Sequence, residues 1–315
     1  MKPNRGVLRT WTRLTGRIAE AVGRDDLAVR RYGLALSRAP ADADALRHIA
    51  AVMRRAPARV RLPRPHTERP ERFCLFVGYP RSGHSLVGSL LDAHPHAVLA
   101  HEFNTLQQYR TGLDADELCL FLQLNSAVFA RMGRSWTGYA YEVPGQHQGR
   151  AERLVLLGDK KGAATTRQMR KHPDTLPALE ADLGVPFVFV HVMRHPLDNI
   201  ATWAQRQRVS LERATREYFQ LVETVADLRA ARPEQVHDVY LESLIGDPRA
   251  ELVRLCAALG LEQGADHLDA CANVVFGSPR RSRDRADWPD GMRDSILERA
   301  GRHDFLRPYA EGRLG

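Results

Sequence analysis

Gly78-Tyr79-Pro80-Arg81-Ser82-Gly83-His84-Ser85 lies between the apolar run Phe73-Cys74-Leu75-Phe76-Val77 and the segment Leu86-Val87-Gly88-Ser89-Leu90-Leu91. The order reads as strand, tight glycine turn, helix. Such a turn aims backbone N–H groups and a helix N-terminus at an anion, as in the G-x-x-x-x-G-K-[ST] pattern. His84 stands where that pattern has lysine, and Arg81 brings fixed positive charge earlier in the loop. The residues predict a phosphate cradle that departs from an ATP- or GTP-hydrolysing site. Taken alone, a glycine turn without a ligand is the other reading.

Outward from this loop, apolar runs predict strands at 73–78, 97–100, 153–158 and 187–193, with a weaker one near 236–240. Helical patterns fill 84–93, 115–132, 165–183 (interrupted by Pro173 and Pro177), 196–207 and 209–231. Another follows Asp247-Pro248 through Leu252, Leu255, Cys256 and Leu259. Short continuous strands separated by helices imply an α/β three-layer sandwich, a central parallel sheet with helices on both faces. Ligands of such sheets bind at the C-terminal strand ends.

The buried run Phe187-Val188-Phe189-Val190-His191-Val192-Met193 is followed by Arg194-His195-Pro196-Leu197-Asp198-Asn199-Ile200-Ala201-Thr202. A strand ending in Arg-x-Pro, with a hydroxyl eight residues after the arginine, places a guanidinium and an OH near one phosphate. Arginine suits bidentate phosphate recognition. Singly, a Pro-initiated helix with a surface arginine would be the favoured reading; paired with the loop, a second anion site is.

The chain has 315 residues, a net charge of +8 and a sequence pI near 9.6. An anionic partner fits that balance. The sequence carries no zinc-finger spacing, aromatic RNA-binding signature or homeodomain-like arm, which argues against nucleic acid. Cys74, Cys119, Cys256 and Cys271 form no C-x-x-C pair and read as buried thiols of a cytoplasmic protein. No signal-peptide core is expected near Leu8–Val22, and no apolar run approaches the roughly 20 residues of a membrane span.

The two anion motifs, in this order, resemble the 5′-phosphosulfate loop and the 3′-phosphate motif of sulfotransferases that use PAPS (3′-phosphoadenosine 5′-phosphosulfate). Leu91-Asp92-Ala93-His94-Pro95 followed by Glu102 is similar to the start of the tyrosylprotein and carbohydrate group. Gly158-Asp159-Lys160-Lys161-Gly162 is similar to a segment of bacterial members, without their following Ser/Thr-Pro. Tyr240-Leu241-Glu242-Ser243-Leu244 with Asp247-Pro248 resembles the family's strand and turn before its late helix. The resemblance spans about residues 72–300.

It implies that Arg81, Ser82, Gly83, His84 and Ser85 hold the 5′-phosphosulfate, and that Arg194 and Thr202 hold the 3′-phosphate. It further implies Glu102 as the base that takes the acceptor proton, with His101 as rival, and Lys160 as the cation at the bridging oxygen, with Lys161 as its alternative. Ser278-Pro279-Arg280-Arg281-Ser282-Arg283 replaces the family's glycine-rich late loop, so Arg281 and Arg283 are candidates for the nucleotide. That stretch reads equally as a solvated basic loop. PAP is the implied product and no metal is required; His94, His96 and His101 lack a recognisable ligand geometry. The acceptor class (sugar, tyrosine or small natural product) is not readable. Tyr109, Phe121, Phe129, Trp136, Tyr139 and Tyr141 either line its pocket or, for most of them, pack a helical layer. The rival functions are a nucleotide kinase using the same loop and a non-catalytic scaffold that binds PAP.

Upstream, residues 1–55 read as a helical extension, 56–71 as a proline-rich linker and 72–315 as the catalytic domain. Gly16, Ala28, Tyr32, Ala35 and Pro40 are spaced as in a tetratricopeptide repeat, and Leu46, Ile49 and Ala50 fit the start of a second unit. Arrays need about three or more repeats, so a single helical hairpin is the expectation, with a protein partner as its possible use.

Overall fold

A computed structural model describes residues 5–262, 264–275, 277–278 and 280–314, with side chains from residue 10 onward. Pro279 of the late basic loop lies outside the described residues. The chain opens with helices α1 (Arg5–Ala21), α2 (Asp25–Leu36) and α3 (Ala43–Arg55). Strand β1 (Arg72–Gly78), α4 (His84–Asp92), β2 (Ala97–Ala100), α5 (Thr105–Arg110) and α6 (Ala115–Arg131) follow. After the short β3 (Ser135–Trp136) and β4 (Tyr139–Ala140) come β5 (Leu156–Asp159), α7 (Gly162–Lys171), α8 (Thr175–Leu183) and β6 (Phe187–Met193). The chain ends through α9 (Pro196–Gln207), α10 (Leu211–Ala231), β7 (Val236–Tyr240), α11 (Leu241–Gly246), α12 (Pro248–Leu259), α13 (Ala265–Ala272), α14 (Met292–Gly301) and α15 (Arg307–Ala310).

The main sheet has five strands in the order β2-β5-β1-β6-β7, flanked by helices, and β3 and β4 form a separate antiparallel pair. The β2–β5 and β6–β7 pairs are parallel, as the alternation of short strands with helices predicts. Register sets Ala100 opposite Asp159, and His191 opposite Asp238. The fifth strand, near 236–240, is therefore a full member of the sheet.

Two details differ from the sequence pattern. The stretch 165–183 is two helices separated near Pro173, whereas Pro177 sits in the first turn of α8 without breaking it. A proline there forfeits no intrahelical bond, because first-turn N–H groups have no helical acceptor. The expected strand 153–158 begins at Leu156, where its pairing with β2 starts.

The chain divides into two compact units. One comprises residues through Phe73 together with 88–160 and 175–186; the other comprises 74–87, 161–174 and everything from Phe187. In the first unit the N-terminal segment forms three helices rather than the two of a hairpin. A Cβ at Gly16 would meet the Tyr32 ring at 2.7 Å, so glycine lets α1 close on α2. Asn125 and Gln108 donate to the carbonyls of Pro40 and Ala41 at 2.8 and 2.9 Å, which ties the α2–α3 turn to α6 and α5. Residues 56–71 are also pinned: His66 N–H donates to Gln123 Oε1 at 2.7 Å, and Gln123 Nε2 returns a bond to its carbonyl at 3.1 Å.

In the second unit, Tyr79, Met193, Trp203, Tyr218, Phe305 and Tyr309 belong to one buried apolar cluster under the loop that follows β1. Burying a side chain of this kind contributes about 1.5–3 kcal/mol. Cys74, Cys119, Cys256 and Cys271 are all buried free thiols, and burial pushes the last two up to about 12. Among the described residues no helix is long and apolar enough to cross a membrane.

Candidate functional site

In the second unit, a candidate site begins where β1 ends. Gly78 (φ +119°), Arg81 (φ +71°) and Gly83 (φ +103°) turn the chain from strand into α4. Arg81 is a non-glycine residue in the left-handed region, a strained conformation that clusters at ligand sites. Ser82 is fully buried; its hydroxyl donates to the Tyr79 carbonyl at 3.0 Å and accepts from Asn199 Nδ2 at 2.8 Å. The Ser82 side chain thus locks the turn. Gly78 N–H donates to Thr166 Oγ1 at 2.9 Å, fastening the loop to α7.

His84, in the position of the missing lysine, turns its ring back beneath the loop. Its Nε2 lies 3.1 Å from the Val77 carbonyl, and a Cβ on Gly162 would sit 2.3 Å from the same nitrogen. Glycine at the start of α7 makes room for that ring. His84 is therefore a wedge, not a replacement for the lysine's reach.

Strand β6 delivers Arg194 beside the same loop's anchor on α9. Arg194 Nη1 donates to Thr202 Oγ1 at 3.3 Å, and Nη2 bonds the Arg280 carbonyl. Its Nε is buried with no partner among the described residues. Burial pulls the guanidinium below the ordinary arginine value. Thr202 donates in turn to Ser282 Oγ at 2.9 Å.

The late arginines separate into two roles. Arg283 is buried, with Nη1 2.9 Å from Asp198 Oδ2 and its N–H donating to Asp198 Oδ1 at 2.7 Å. This pair staples the loop to the first turn of α9. Arg281 is exposed and pairs with Asp284 at 3.3 Å. Between them, His195 caps α9 by accepting from Leu197 N–H at 3.3 Å. Burial, then Arg283, Arg281, Arg194 and Arg293, lower its pKa to about 3, so the ring is neutral.

Beneath the loop lies a polar relay whose members come from four separate elements, the loop, β6, β7 and α10. Tyr79 OH and His191 Nε2 are 3.0 Å apart, His191 Nδ1 and Asp238 Oδ1 2.9 Å, and Arg229 donates to Asp238 at 2.7 Å. Burial works against the Asp238 carboxylate, but the bonds and charges of His191 and Arg229 prevail and lower its pKa. The relay joins Tyr79, next to Gly78 in the glycine loop, to β6, the strand that Arg194 follows.

Within the first unit, the parallel ends of β2 and β5 bring together Glu102 and Lys160. Lys160 N–H donates to the Ala100 carbonyl at 3.0 Å, and Lys160 Nζ donates to Glu102 Oε1 at 2.7 Å. Lys160 is buried and its stem crosses Gly88, where any Cβ would fall 2.4 Å from Lys160 Cγ. Glu102 (φ +58°) and Asn104 (φ +66°) both adopt the left-handed conformation. Asp159 holds that turn: it accepts from Phe103 N–H at 3.0 Å, Thr105 N–H at 2.9 Å and Thr105 Oγ1 at 3.1 Å.

His101, the other base candidate, is 4% exposed; its ring stacks on Phe129 at 3.8 Å and meets Trp136 edge-on at 4.8 Å. Its packing is that of a core aromatic, and Phe121 is buried as well. Asp92 is a structural hub, taking Arg134 at 2.6 Å and the N–H groups of Leu99 and Gly149. Lys161 precedes α7 as its N-cap residue. Among the described residues no group of three or more His, Cys, Asp and Glu could hold a metal ion. Asp159, Asn199 and the glycines at 88 and 162 all lie inside quoted segments, yet sequence reasoning assigned them no role, because their partners (Phe103, Ser82, Lys160 and His84) are far away in the chain.

Residues 75–265 match the model of the Sulfotransferase family. No curated protein sequence matches the chain. Among solved structures, sulfotransferase STF9 from Mycobacterium avium is 14% identical with a TM-score of 0.46, covering 95% of this chain and 96% of that one. The sulfotransferase domain of the Synechococcus PCC 7002 olefin synthase is 16% identical (TM-score 0.41; 80% of this chain, 98% of that one). Mouse sulfotransferase SULT7A1 complexed with PAP is 13% identical (TM-score 0.42; 78% and 90%).

Proposed function

Because the chain belongs to the sulfotransferase family, we propose that it transfers a sulfuryl group from PAPS to an acceptor hydroxyl of a sugar, a tyrosine or a small natural product. The observation that carries the choice of donor is Arg194, a buried guanidinium beside the Thr202 hydroxyl with an orphaned Nε. A buried cation with a spare donor suits an anion, and the 3′-phosphate distinguishes PAPS from ordinary adenylates. Arg194 and Thr202 would hold that phosphate. Arg81 and the N–H groups of Gly83, His84 and Ser85, at the head of α4, would hold the 5′ side. Of the late arginines, Arg281 would reach the nucleotide more readily, since its Asp284 pair is exposed whereas Arg283 is buried on Asp198.

When bound, PAPS supplies the sulfuryl group and PAP departs. Glu102 takes the proton as the acceptor oxygen attacks sulfur, and Lys160 and Arg81 offset the charge that gathers on the leaving side. The Lys160–Glu102 salt bridge supports this division of labour by holding cation and base in one fixed arrangement. The His101 ring, stacked on Phe129, supports Glu102 over its neighbour.

The test is thermal denaturation with PAP in the absence of Mg²⁺, followed by labelled sulfate transfer from PAPS to a panel of hydroxyl acceptors. PAP should raise the melting temperature of the wild type and not of Arg194→Ala. Stabilisation by ATP with Mg²⁺ but not by PAP would overturn the donor assignment.

A further inference from the structure

Helix α1 carries an apolar surface that no element covers among the described residues. The exposed large apolar side chains among the described residues are Trp11 (61%), Leu14 (48%), Ile18 (56%) and Val22 (65%). Their spacing of three, four and four residues puts all of them on one stripe, because residues three and four apart share a helix face. Val22 N–H still bonds the Ile18 carbonyl at 3.2 Å, so the last of them keeps the helical register. The opposite face holds Thr12, Gly16 and Ala19, which are buried against α2. The stripe is thus not an inner face left open; the helix has two apolar sides and the fold uses one.

Charge borders the stripe with a single sign. Arg17 and Arg24 are exposed and have no acidic partner among the described residues. The one acid of α1, Glu20, is drawn inward by Tyr32 (2.8 Å), His48 (3.0 Å) and Arg55 (2.7 Å). Asp25, Asp26, Asp42 and Asp44 are likewise paired with arginines of the same unit.

We propose that α1 lays this stripe on an anionic lipid surface, with Trp11, Leu14, Ile18 and Val22 entering the headgroup–acyl boundary and Arg17 and Arg24 on the phosphates. A convex, one-helix ridge bearing tryptophan and leucine and edged by arginine is the composition of an interfacial helix. The patch is on the order of 400 Å², whereas a stable protein interface takes about 800 Å² from each partner. A second copy would also set arginine edge against arginine edge. A bilayer needs no matching area and supplies the opposite charge.

The experiment is co-sedimentation of the full chain with vesicles of phosphatidylcholine alone or mixed with phosphatidylglycerol. The mixed vesicles should take down the protein and the neutral ones should not. Trp11→Ser with Ile18→Ser should cut the bound fraction at least about fivefold, and Arg17→Glu with Arg24→Glu by a similar factor. All four sites are exposed, so an unchanged melting temperature checks that both double variants are folded. Equal sedimentation of wild type and the apolar variant, or none with anionic vesicles, would overturn the proposal. So would light scattering that shows a wild-type dimer and a monomeric apolar variant, since a second copy would then be the occupant.

Discussion

Lys160 Nζ donates to Glu102 Oε1 over 2.7 Å, and the residue before Lys160 bonds the backbone on the far side of Glu102. Two side chains from the end of β5 therefore grip one strained turn, Lys160 at its carboxylate and Asp159 at the N–H groups of residues 103 and 105. The turn's left-handed φ values cost of order 1–3 kcal/mol each, which the Asp159 bonds offset.

Glu102→Gln keeps the shape of the turn and removes the proton acceptor. Turnover of labelled PAPS should fall by about 10²–10⁴-fold, the usual contribution of a general base. PAP binding measured by calorimetry should hold. Full turnover in the variant would reassign the base.

Arg194→Lys retains a charge and loses the planar fork. The KM for PAPS should rise by about tenfold or more, reflecting roughly 1.5–3 kcal/mol for a charge-assisted bond. Thr202→Val should raise it less. A KM unchanged in both would detach these residues from the nucleotide.

Gly162→Ala places a methyl 2.3 Å from His84 Nε2, which the loop must absorb by moving. A loss of about 1–3 kcal/mol in unfolding free energy is expected from such overpacking. Adding His84→Ala should restore much of it, and chemical denaturation of the single and double variants measures the coupling. Purely additive losses would show that the contact is not the cause.

Acidification should act through His195. Its folded pKa is about 3 and its ordinary value 6.5, so the unfolded chain binds the extra proton between those limits. Stability from this group is complete above pH 6.5 and is lost as pH falls toward 3, on the order of 5 kcal/mol across the window at about 1.4 kcal/mol per unit. Protonation would also remove the acceptor that caps α9 and add a cation beside Arg194 and Arg283. In His195→Asn, which preserves a cap acceptor without a titrating ring, the melting temperature should vary less over this range.

The phosphate loop was legible because its evidence is local: a strand, two glycines and a helix start within eight residues. Arg194 and Thr202 were legible for the same reason, since one helix sets their separation. The partnership of Lys160 with Glu102 depends on β2 lying beside β5, a long-range pairing (Ala97 opposite Leu156) that periodicity cannot encode. Arg283 read as a candidate for the nucleotide or as part of a solvated basic loop, because its partner Asp198 lies 85 positions away. The helix break at Pro173 and the silent Pro177 differ only in position relative to a first turn, which composition does not reveal.

Gly88 gives Lys160 its place by having no side chain. The lysine stem runs through a notch in α4, so the position of the ammonium is dictated by a residue that never meets substrate. In a mutational scan Gly88→Ala, which adds one carbon and favours the helix, should behave like a lesion of Lys160 itself. Transfer would fail in a protein whose backbone remains well formed, and the defect would map to a residue with no chemistry of its own.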